Sequence, residues 1–275
     1  MKKKATPFGV ITIILLSILT IIFVFPFYWI MTGAFKAQPD TIKIPPQWWP
    51  TAPTLENFKQ LLIQNPAGKW LFNSIFIAAV TMLLVCITSS LAGYVLAKKK
   101  FYGQKLLFSV FIAAMALPKQ VVLVPLVRIV NLLGIHDTLA AVILPLVGWP
   151  FGVFLMKQFS ENIPGELLES AKIDGCGEFR TFINIAFPII KPGFAALAIF
   201  TFINTWNDYF MQLVMLSSRD NLTVSLGVAT MQAEMATNYG LIMAGAALSA
   251  VPIVAVFIIF QKSFTQGITM GAVKG

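Results

Sequence analysis

The sequence predicts an all-α, polytopic membrane protein with six transmembrane helices, and three features of the 275-residue chain support this. Apolar residues make up 57% of the chain and charged residues only 11%, whereas soluble domains carry about 25% charged residues. The mean hydropathy is +0.81. Four stretches without Asp, Glu, Lys or Arg cover 5–35, 70–97, 138–156 and 235–261, and each approaches or exceeds the roughly 20 apolar residues that cross a bilayer.

The first of these stretches follows three lysines, as a secretory signal would. Its apolar run is longer than the 7–15 residues typical of a signal peptide, and it ends in Phe-Tyr-Trp-Ile at 27–30 with no small-residue cleavage site. We therefore expect it to be retained as the first transmembrane helix. The second charge-free stretch forms the second helix.

Two further apolar segments contain a single charge each, Lys119 in the third helix and Asp208 in the fifth. Pro118 and Pro125 remove backbone donors, so we expect the third helix to bend or end early and continue as an interfacial segment. The fourth and sixth helices correspond to charge-free stretches. The six predicted helices lie near 10–33, 72–96, 106–126, 139–157, 194–216 and 241–261.

The basic residues are distributed unequally between the two sides of the membrane. With six crossings, thirteen Lys and Arg fall on the side of both termini and six on the opposite side. The positive-inside rule makes the richer side cytoplasmic, so we expect both termini inside. The net charge of +9 is thus a topology signal, and nucleic acid is not an expected partner.

The residues that carry enzyme chemistry are missing from the sequence. Cys86 and Cys176 form no Cys-x-x-Cys pair and predict neither a disulfide nor a metal site. No phosphate-binding Gly-x-x-x-x-Gly-Lys loop or His-Glu-x-x-His motif occurs. His136, the single histidine, lies in a short outer loop. We expect no catalytic residues, no metal and no cofactor in this chain.

The outer loop after the first helix contains Pro45-Pro46-Gln47-Trp48-Trp49-Pro50. Paired tryptophans are typical of the membrane interface, and they are also suited to docking a partner outside the cell. Both interpretations stay open.

The cytoplasmic loop at about 158–192 is the most polar part of the chain and holds five of its eleven acidic residues. Pro164 and the glutamates that follow favour the start of a short helix, and Gly175 favours its end. A second helix is predicted over 178–186, with Pro188 and Pro192 ending it. The loop is therefore predicted to be a helix–turn–helix.

This loop resembles the EAA loop of permease subunits in binding-protein-dependent ABC importers. The stretch Glu169-Ser170-Ala171, three residues, Gly175, nine residues, Ile185, one residue, Phe187-Pro188 matches every spacing of that family's pattern. Two residues depart from it: Ser170 replaces Ala and Phe187 replaces Leu.

The resemblance implies a type I ABC importer permease fold in a bacterial or archaeal cytoplasmic membrane. It also implies that the loop forms a coupling helix against a separate ATPase subunit, which binds ATP and Mg²⁺. The implied partners are ABC ATPase subunits, a second permease in a heterodimer and an extracytoplasmic solute-binding protein. The implied coupling residues are Glu166, Glu169, Ser170, Ala171, Asp174, Gly175, Ile185 and Pro188.

Other segments are similar to sugar permeases of the maltose and multiple-sugar type, namely 54–58, Asn73-Ser74, 205–208 and the ending 271–275. On this basis we divide the chain into an N-terminal helix with its outer loop at 1–71, a transmembrane domain at 72–262 and a cytoplasmic tail at 263–275. The function this implies is import of a sugar or oligosaccharide.

Polar residues within the fifth helix are candidates for the translocation pathway, because a charge at membrane depth usually faces the bundle interior or a water-filled cavity. Asp208 pairing with another helix to serve assembly is the alternative, and Lys119 is expected to extend to the outer interface. The candidate pathway residues are Asn204, Trp206, Asn207 and Asp208.

Three other functions remain open at this stage. An ABC permease for a glycerol phosphate ester, a polyamine or a peptide would share the fold. An ion-driven secondary transporter would need carboxylates in several helices, and only Asp208 is available. A membrane-embedded enzyme would need catalytic residues that the chain lacks.

Overall fold

The computed structural model describes residues 7–234 and 238–272, and the side chains of 8–232 and 238–260. All regular structure in these residues is helical, which confirms the predicted fold class. The helices are α1 Pro7–Ala34, α2 Gln38–Thr41, α3 Glu56–Lys59, α4 Ala67–Lys98, α5 Gln104–Met115, α6 Lys119–Leu132, α7 Leu139–Ile143, α8 Pro150–Glu161, α9 Gly165–Ile173, α10 Glu178–Thr181, α11 Phe187–Trp206, α12 Tyr209–Met215, α13 Val224–Glu234 and α14 Tyr239–Ala272.

Four helices in the described residues are long and apolar enough to cross a membrane: Phe8–Ala34, Ala67–Lys98, Glu178–Trp206 and Tyr239–Phe260. Two bent pairs pass the same test: α5 with α6 meets at 105°, and α7 with its 3₁₀ extension Leu144–Leu146 meets α8 at 42°. The number of spans is six if each bent pair crosses once.

The bend between α5 and α6 lies where Pro118 was expected to break the third helix. The break in the fourth helix was not expected. There Val147-Gly148-Trp149 separates the 3₁₀ turn from α8, and Pro150 occupies the first turn of α8. Proline suits that position because its missing N–H would be unpaired there anyway.

The predicted end of the second cytoplasmic helix at Pro188 is wrong. The chain stays helical from Glu178 to Trp206, through a π-helical segment at Phe182–Ala186. Pro188 lies in the first turn of α11 directly after that segment. Since the widened π turn changes which amides pair with which carbonyls, a proline without an N–H is tolerated there.

The described residues fall into two compact units. In the first, formed within Met1–Gly68 and Gly227–Pro252, the side-chain amide of Asn57 donates to the carbonyls of Ala34 and Lys36, both at 2.8 Å. Lys36 is 2% exposed, and its ammonium lies 4.4 Å from the ring centre of Trp29. The outer loop after α1 is thus tied to the end of that helix.

The second unit is formed within Lys69–Leu226 and Ile253–Gly275. Its helices approach closely at glycines: a Cβ at Gly93 of α4 would lie 2.6 Å from the Lys157 backbone of α8, and one at Gly193 of α11 would lie 2.4 Å from the Phe159 ring. Small residues at such crossings are the usual means of packing membrane helices. Both sites described below belong to this unit.

Candidate coupling loop and membrane cavity

The loop between α8 and α11 forms a helix and a tight turn, as predicted. α9 ends in a Schellman motif: the Cys176 amide donates to the Ala171 carbonyl at 2.9 Å and the Gly175 amide to the Lys172 carbonyl at 3.1 Å. Gly175 has φ +75°, the left-handed conformation that this motif requires. The turn is therefore fixed by hydrogen bonds that satisfy the last carbonyls of α9.

Apolar side chains are exposed on this polar loop. Ile173 is 87% exposed and Phe179 69%, and Leu167 and Ile183 are also exposed. Exposed apolar residues that cluster within a polar rim are typical of a surface that binds another protein. The charged residues Glu166 and Glu169 lie on the same short element and are exposed.

The other face of the loop anchors it to the transmembrane helices. Phe182 and Ala186 are buried in a cluster with Tyr94 of α4 and Met156 of α8. The ring centres of Tyr94 and Phe182 are 5.3 Å apart. The three- and four-residue spacing of Phe179, Phe182, Ile183 and Ala186 predicts one apolar face. The structure divides these residues: Phe182 and Ala186 are buried, whereas Phe179 and Ile183 are exposed.

Two lysines at the end of α4 fix the borders of the loop. The Lys98 ammonium donates to the carbonyls of Glu161 at 3.0 Å and Ile163 at 2.7 Å, which satisfies the C-terminal end of α8. Lys99 pairs with Glu178, and this hydrogen bond lowers the pKa of the Glu178 carboxyl. Two residues of the basic cluster at 98–100 therefore hold the loop between α8 and α11 in place.

The remaining coupling residues differ in their surroundings. Ala171 is 2% exposed, as close helix packing requires. The Ser170 hydroxyl donates to the Glu166 carbonyl at 2.9 Å, within α9. Asp174 and Pro188 are exposed, and Ile185 is half-buried. Their role in coupling stays a prediction.

A cavity of about 540 Å³ lies where three broken helices meet. Its lining comes from the α5–α6 bend with Met115, Leu117, Lys119 and Gln120, from the break before α8 with Leu146, Gly148, Trp149 and Pro150, and from the break before α12 with Asp208, Phe210 and Met211.

Two helices adjoining these breaks, α5 and α8, are too short to cross a bilayer alone, whereas α11 belongs to the apolar helix Glu178–Trp206, which is long enough. α5 and α8 have 12 residues each, so each rises about 18 Å against a hydrocarbon core of about 30 Å. Irregular backbone at membrane depth is tolerated where it is buried in protein or lines a water-filled cavity. The convergence of three breaks on one cavity satisfies that condition.

Asp208 forms the break between α11 and α12. It is the N-cap of α12, and its carboxylate Oδ1 accepts a hydrogen bond from the Met211 amide at 3.3 Å. Its other oxygen, Oδ2, lies 3.6 Å from the Lys119 ammonium. Lys119 also lies 6.0 Å from the ring centre of Trp149. Asp208 thus both pairs with another helix and lines the cavity.

The structure brings two of the four predicted pathway residues together, Asn204 and Asp208, and places Trp206 and Asn207 elsewhere. Asn204 shares a small hollow of about 10 Å³ with Asp208, Thr81 and Trp149. Trp206 is 3% exposed and stacks on Phe202, and Asn207 is exposed, its amide bonded to the Ile203 carbonyl at 3.0 Å. Their pathway role stays a prediction.

Sequence reasoning missed Trp149 and Gln120 and assigned Lys119 to the interface. The Gly148-Trp149-Pro150 sequence is a helix-breaking signal within an apolar span, and it offered a way to find Trp149. Nothing in the sequence links residue 149 to residue 208.

A polar clamp centred on Asp137 joins the segment before α7 to the segment after α12. Its carboxylate accepts from the amides of Ser217 and Ser218 at 2.8 and 2.9 Å and from the Ser218 hydroxyl. Burial acts to raise the pKa of Asp137, but these hydrogen bonds outweigh it and lower the pKa to about 2.

The Asn73-Ser74 pair, which marks similarity to sugar permeases, binds the segment that follows this clamp. The Asn73 amide donates to the carbonyls of Asp220 and Leu222, both at 2.9 Å, and Ser74 accepts from the Val224 amide at 2.8 Å. The pair therefore fixes the N-terminal part of α4 to the segment that leads into α13.

Comparison with known proteins agrees with this architecture. Residues 89–270 match the family model described as "Binding-protein-dependent transport system inner membrane component". Because the match covers more than half of the chain, the protein belongs to that family. It is a multi-pass membrane protein of a transport system.

Two curated relatives and one solved structure are similar over most of their length. The chain is 34% identical to the arabinooligosaccharides transport system permease protein AraQ of Halalkalibacterium halodurans, over 100% of each chain. It is 34% identical to the melibiose/raffinose/stachyose import permease protein MelC of Bacillus subtilis, over 91% of each. The crystal structure of a bacterial ABC transporter involved in the import of the acidic polysaccharide alginate matches with a TM-score of 0.82 and 18% identity, over 96% of this chain and 99% of that chain.

Proposed function

We propose that this chain is the permease subunit of an ABC importer that carries a sugar or oligosaccharide across the cytoplasmic membrane. The observation that carries the proposal is the loop of α9 and α10. It is anchored to α4 and α8 on one face and exposes Ile173 and Phe179 on the other. A rigid, capped element of this kind transmits movement from a bound ATPase to the transmembrane helices.

The proposal places ATP hydrolysis on a separate subunit, because the sequence contains no phosphate-binding loop. Glu166 and Glu169 would face that ATPase, and Gly175 would keep the turn short. The complex would also contain a second, different permease and an extracytoplasmic solute-binding protein. Both termini would be cytoplasmic, which the excess of basic residues on their side supports.

A sugar is the proposed cargo for two reasons. The relatives described above are named for arabinooligosaccharides and for melibiose, raffinose and stachyose. The cavity wall also combines a tryptophan with a few polar groups, Lys119, Gln120 and Asp208. Ligand sites of small molecules are generally apolar with a few placed polar groups.

Reconstitution of the whole importer in proteoliposomes tests the proposal. The complex, supplied with its solute-binding protein, is assayed for ATP hydrolysis and for uptake of labelled raffinose, arabinotriose, maltotriose and diacetylchitobiose. We expect at least one of these sugars to stimulate ATP hydrolysis and to be taken up. Glu169→Ala should abolish uptake while the chain remains inserted.

Glu161→Ala is the matched control, since Glu161 is exposed at the end of α8, lies outside the motif and loses only an i,i+4 surface pair with Lys157, worth about 0.3–0.5 kcal/mol. It should behave like the unmodified protein. Normal ATP-driven uptake by Glu169→Ala would overturn the coupling assignment, and uptake of none of the four sugars would overturn the assignment of the cargo.

A further inference from the structure

The wall of the 540 Å³ cavity carries one unit charge of each sign. Lys119 and Asp208 are the charged residues among its lining, and their charged atoms are 3.6 Å apart. At that separation the two groups form an ion pair without a direct hydrogen bond, so both retain hydrogen-bonding capacity for the hydroxyl groups of a ligand. The Lys119 side chain is 54% exposed and that of Asp208 15%, so the ammonium is the accessible partner.

A second observation concerns a separate, smaller hollow that shares Lys119, Trp149 and Asp208 with this cavity. Thr81 of α4 is completely buried, and its hydroxyl has no hydrogen-bond partner in the described part of the chain. It lines the small hollow that also contains Asn204, Asp208 and Trp149. A buried hydroxyl without a partner is costly, and the hollow of about 10 Å³ has room for about one water, which would remove that cost and connect Thr81 to the cavity wall.

Trp149 gives the cavity an apolar face beside these polar groups. It is half-buried, and its ring centre lies 5.1 Å from that of Phe151, which restrains the indole. A pyranose or furanose ring has an apolar face of C–H groups and an edge of hydroxyls. An aromatic ring next to a compensated charge pair matches both surfaces.

We propose that this cavity is a saccharide-binding site in this subunit, occupied during translocation by a neutral sugar. Trp149 contacts the apolar face of the sugar ring, and Lys119, Asp208 and Gln120 bind its hydroxyls. Because the charge pair is compensated, the site favours neutral sugars over acidic ones. The volume lies within the roughly 300–1,000 Å³ typical of small-molecule sites.

This inference rests on the proposed function, and its test separates the two. The reconstituted importer is assayed with the neutral sugar that the unmodified complex transports best among the four probes. Sugar uptake and stimulated ATP hydrolysis are measured together, so that uptake is expressed per ATP hydrolysed. Trp149→Leu and Asp208→Asn are the test variants.

Asp208→Asn removes the charge but retains an N-cap residue for α12, since Asn and Asp cap equally well. We expect each test variant to lower uptake per ATP by about ten-fold, the factor that about 1.4 kcal/mol of binding represents. Trp149→Phe, which keeps an aromatic face, should retain most of the uptake.

Arg128→Gln is the matched control, because Arg128 is an exposed residue of α6 that does not line the cavity. It should stay within about two-fold of the unmodified complex. Test variants that match this control would overturn the site and leave the proposed function intact. Absence of uptake by the unmodified complex would instead overturn the proposed function, and the site with it.

Discussion

The coupling loop and the membrane cavity lie in the same compact unit but are built in opposite ways. The loop is local in sequence: α9, the turn at Gly175 and α10 follow one another within 165–181. The cavity is assembled from Lys119, Trp149 and Asp208, which lie at three separate helix breaks. A site formed by residues that are neighbours in the sequence can be predicted from their spacing. A site formed by residues far apart in the sequence depends on how the helices pack.

The two sites also differ in what holds them. Hydrogen bonds within the backbone and buried aromatic contacts fix the loop, as at Ala171–Cys176 and Tyr94–Phe182. The cavity depends on an N-cap at Asp208 and on a charge pair. Substitutions in the loop should therefore disrupt ATPase binding, and substitutions in the cavity should disrupt movement of the sugar.

The largest loss of ATPase affinity is expected from Phe179→Asp in the loop. Buried aromatic anchors of an interface contribute about 2 kcal/mol or more, so the ATPase should bind roughly thirty-fold more weakly. Affinity is measured by titrating the purified ATPase onto the permease complex in nanodiscs. Tyr102→Asp, a fully exposed aromatic residue of another loop, is the control. If the two variants bound the ATPase with equal affinity, the loop would contribute no more to ATPase binding than another exposed part of the surface.

The next effect concerns the turn. Gly175 has φ +75° and open space where a Cβ would lie, so Gly175→Ser adds backbone strain without a clash. The expected cost is about 1–2 kcal/mol, seen as weaker ATPase binding in the same titration. Gly177→Ser is the control: Gly177 has φ −68° and is the N-cap of α10, where serine is favourable. A similar loss in both variants would show that the left-handed turn is unimportant.

In the cavity, Asp208→Ala should destabilise the break between α11 and α12. Loss of the N-cap costs about 1 kcal/mol, whereas Asp208→Asn retains it. Thermal unfolding of the permease in nanodiscs should give a lower Tm for the alanine variant than for the asparagine variant, because both lose the charge pair with Lys119 and only alanine also loses the cap. Identical melting of the two variants would mean that Asp208 does not cap α12.

The smallest effect is expected from Glu178→Gln, which breaks the exposed pair with Lys99. Such surface pairs are worth about 0.2–1 kcal/mol. Because Lys99 lowers the pKa of Glu178, the stabilisation exists above the ordinary carboxyl pKa and is lost as the pH falls through the lowered value. The affinity of the unmodified complex for the ATPase should thus be unchanged between pH 6 and 8. At high salt the unmodified complex and the Glu178→Gln variant should bind the ATPase equally well, because salt screens the pair with Lys99. If the two proteins still differed in ATPase affinity at high salt, the contact between Glu178 and Lys99 would not act as a surface ion pair.

The fold could be predicted well because charge-free length and proline position are local properties. The first and second helices and the bend at Pro118 follow from them directly. The continuous helix through Pro188 could not, since the π-helical segment at 182–186 depends on Phe182 and Ala186 packing into the core. The proline alone predicted that the helix ends at residue 188, but packing of the preceding segment into the core keeps the chain helical.

The candidate sites divide in the same way. Gly175 and the helix before it were predictable from spacing and end-capping. Trp206 was favoured by its residue type and its neighbours, but it is buried at 3% exposure and stacks on Phe202 of the same helix. Trp149 is equally aromatic, and the break before α8 places it at the cavity instead. Composition indicates which residues are suited to a site, and packing decides which of them reach it.

Site-specific photocrosslinking tests the central claim most directly. A benzophenone amino acid is placed at position 173, where Ile173 is 87% exposed on the loop, and in a second variant at position 132, where Leu132 is equally exposed at the end of α6. After irradiation of intact membranes, we predict a covalent adduct with the ATPase subunit from position 173 and none from position 132. Failure of position 173 to form that adduct in a complex that still hydrolyses ATP would contradict the assignment of this loop as the coupling element.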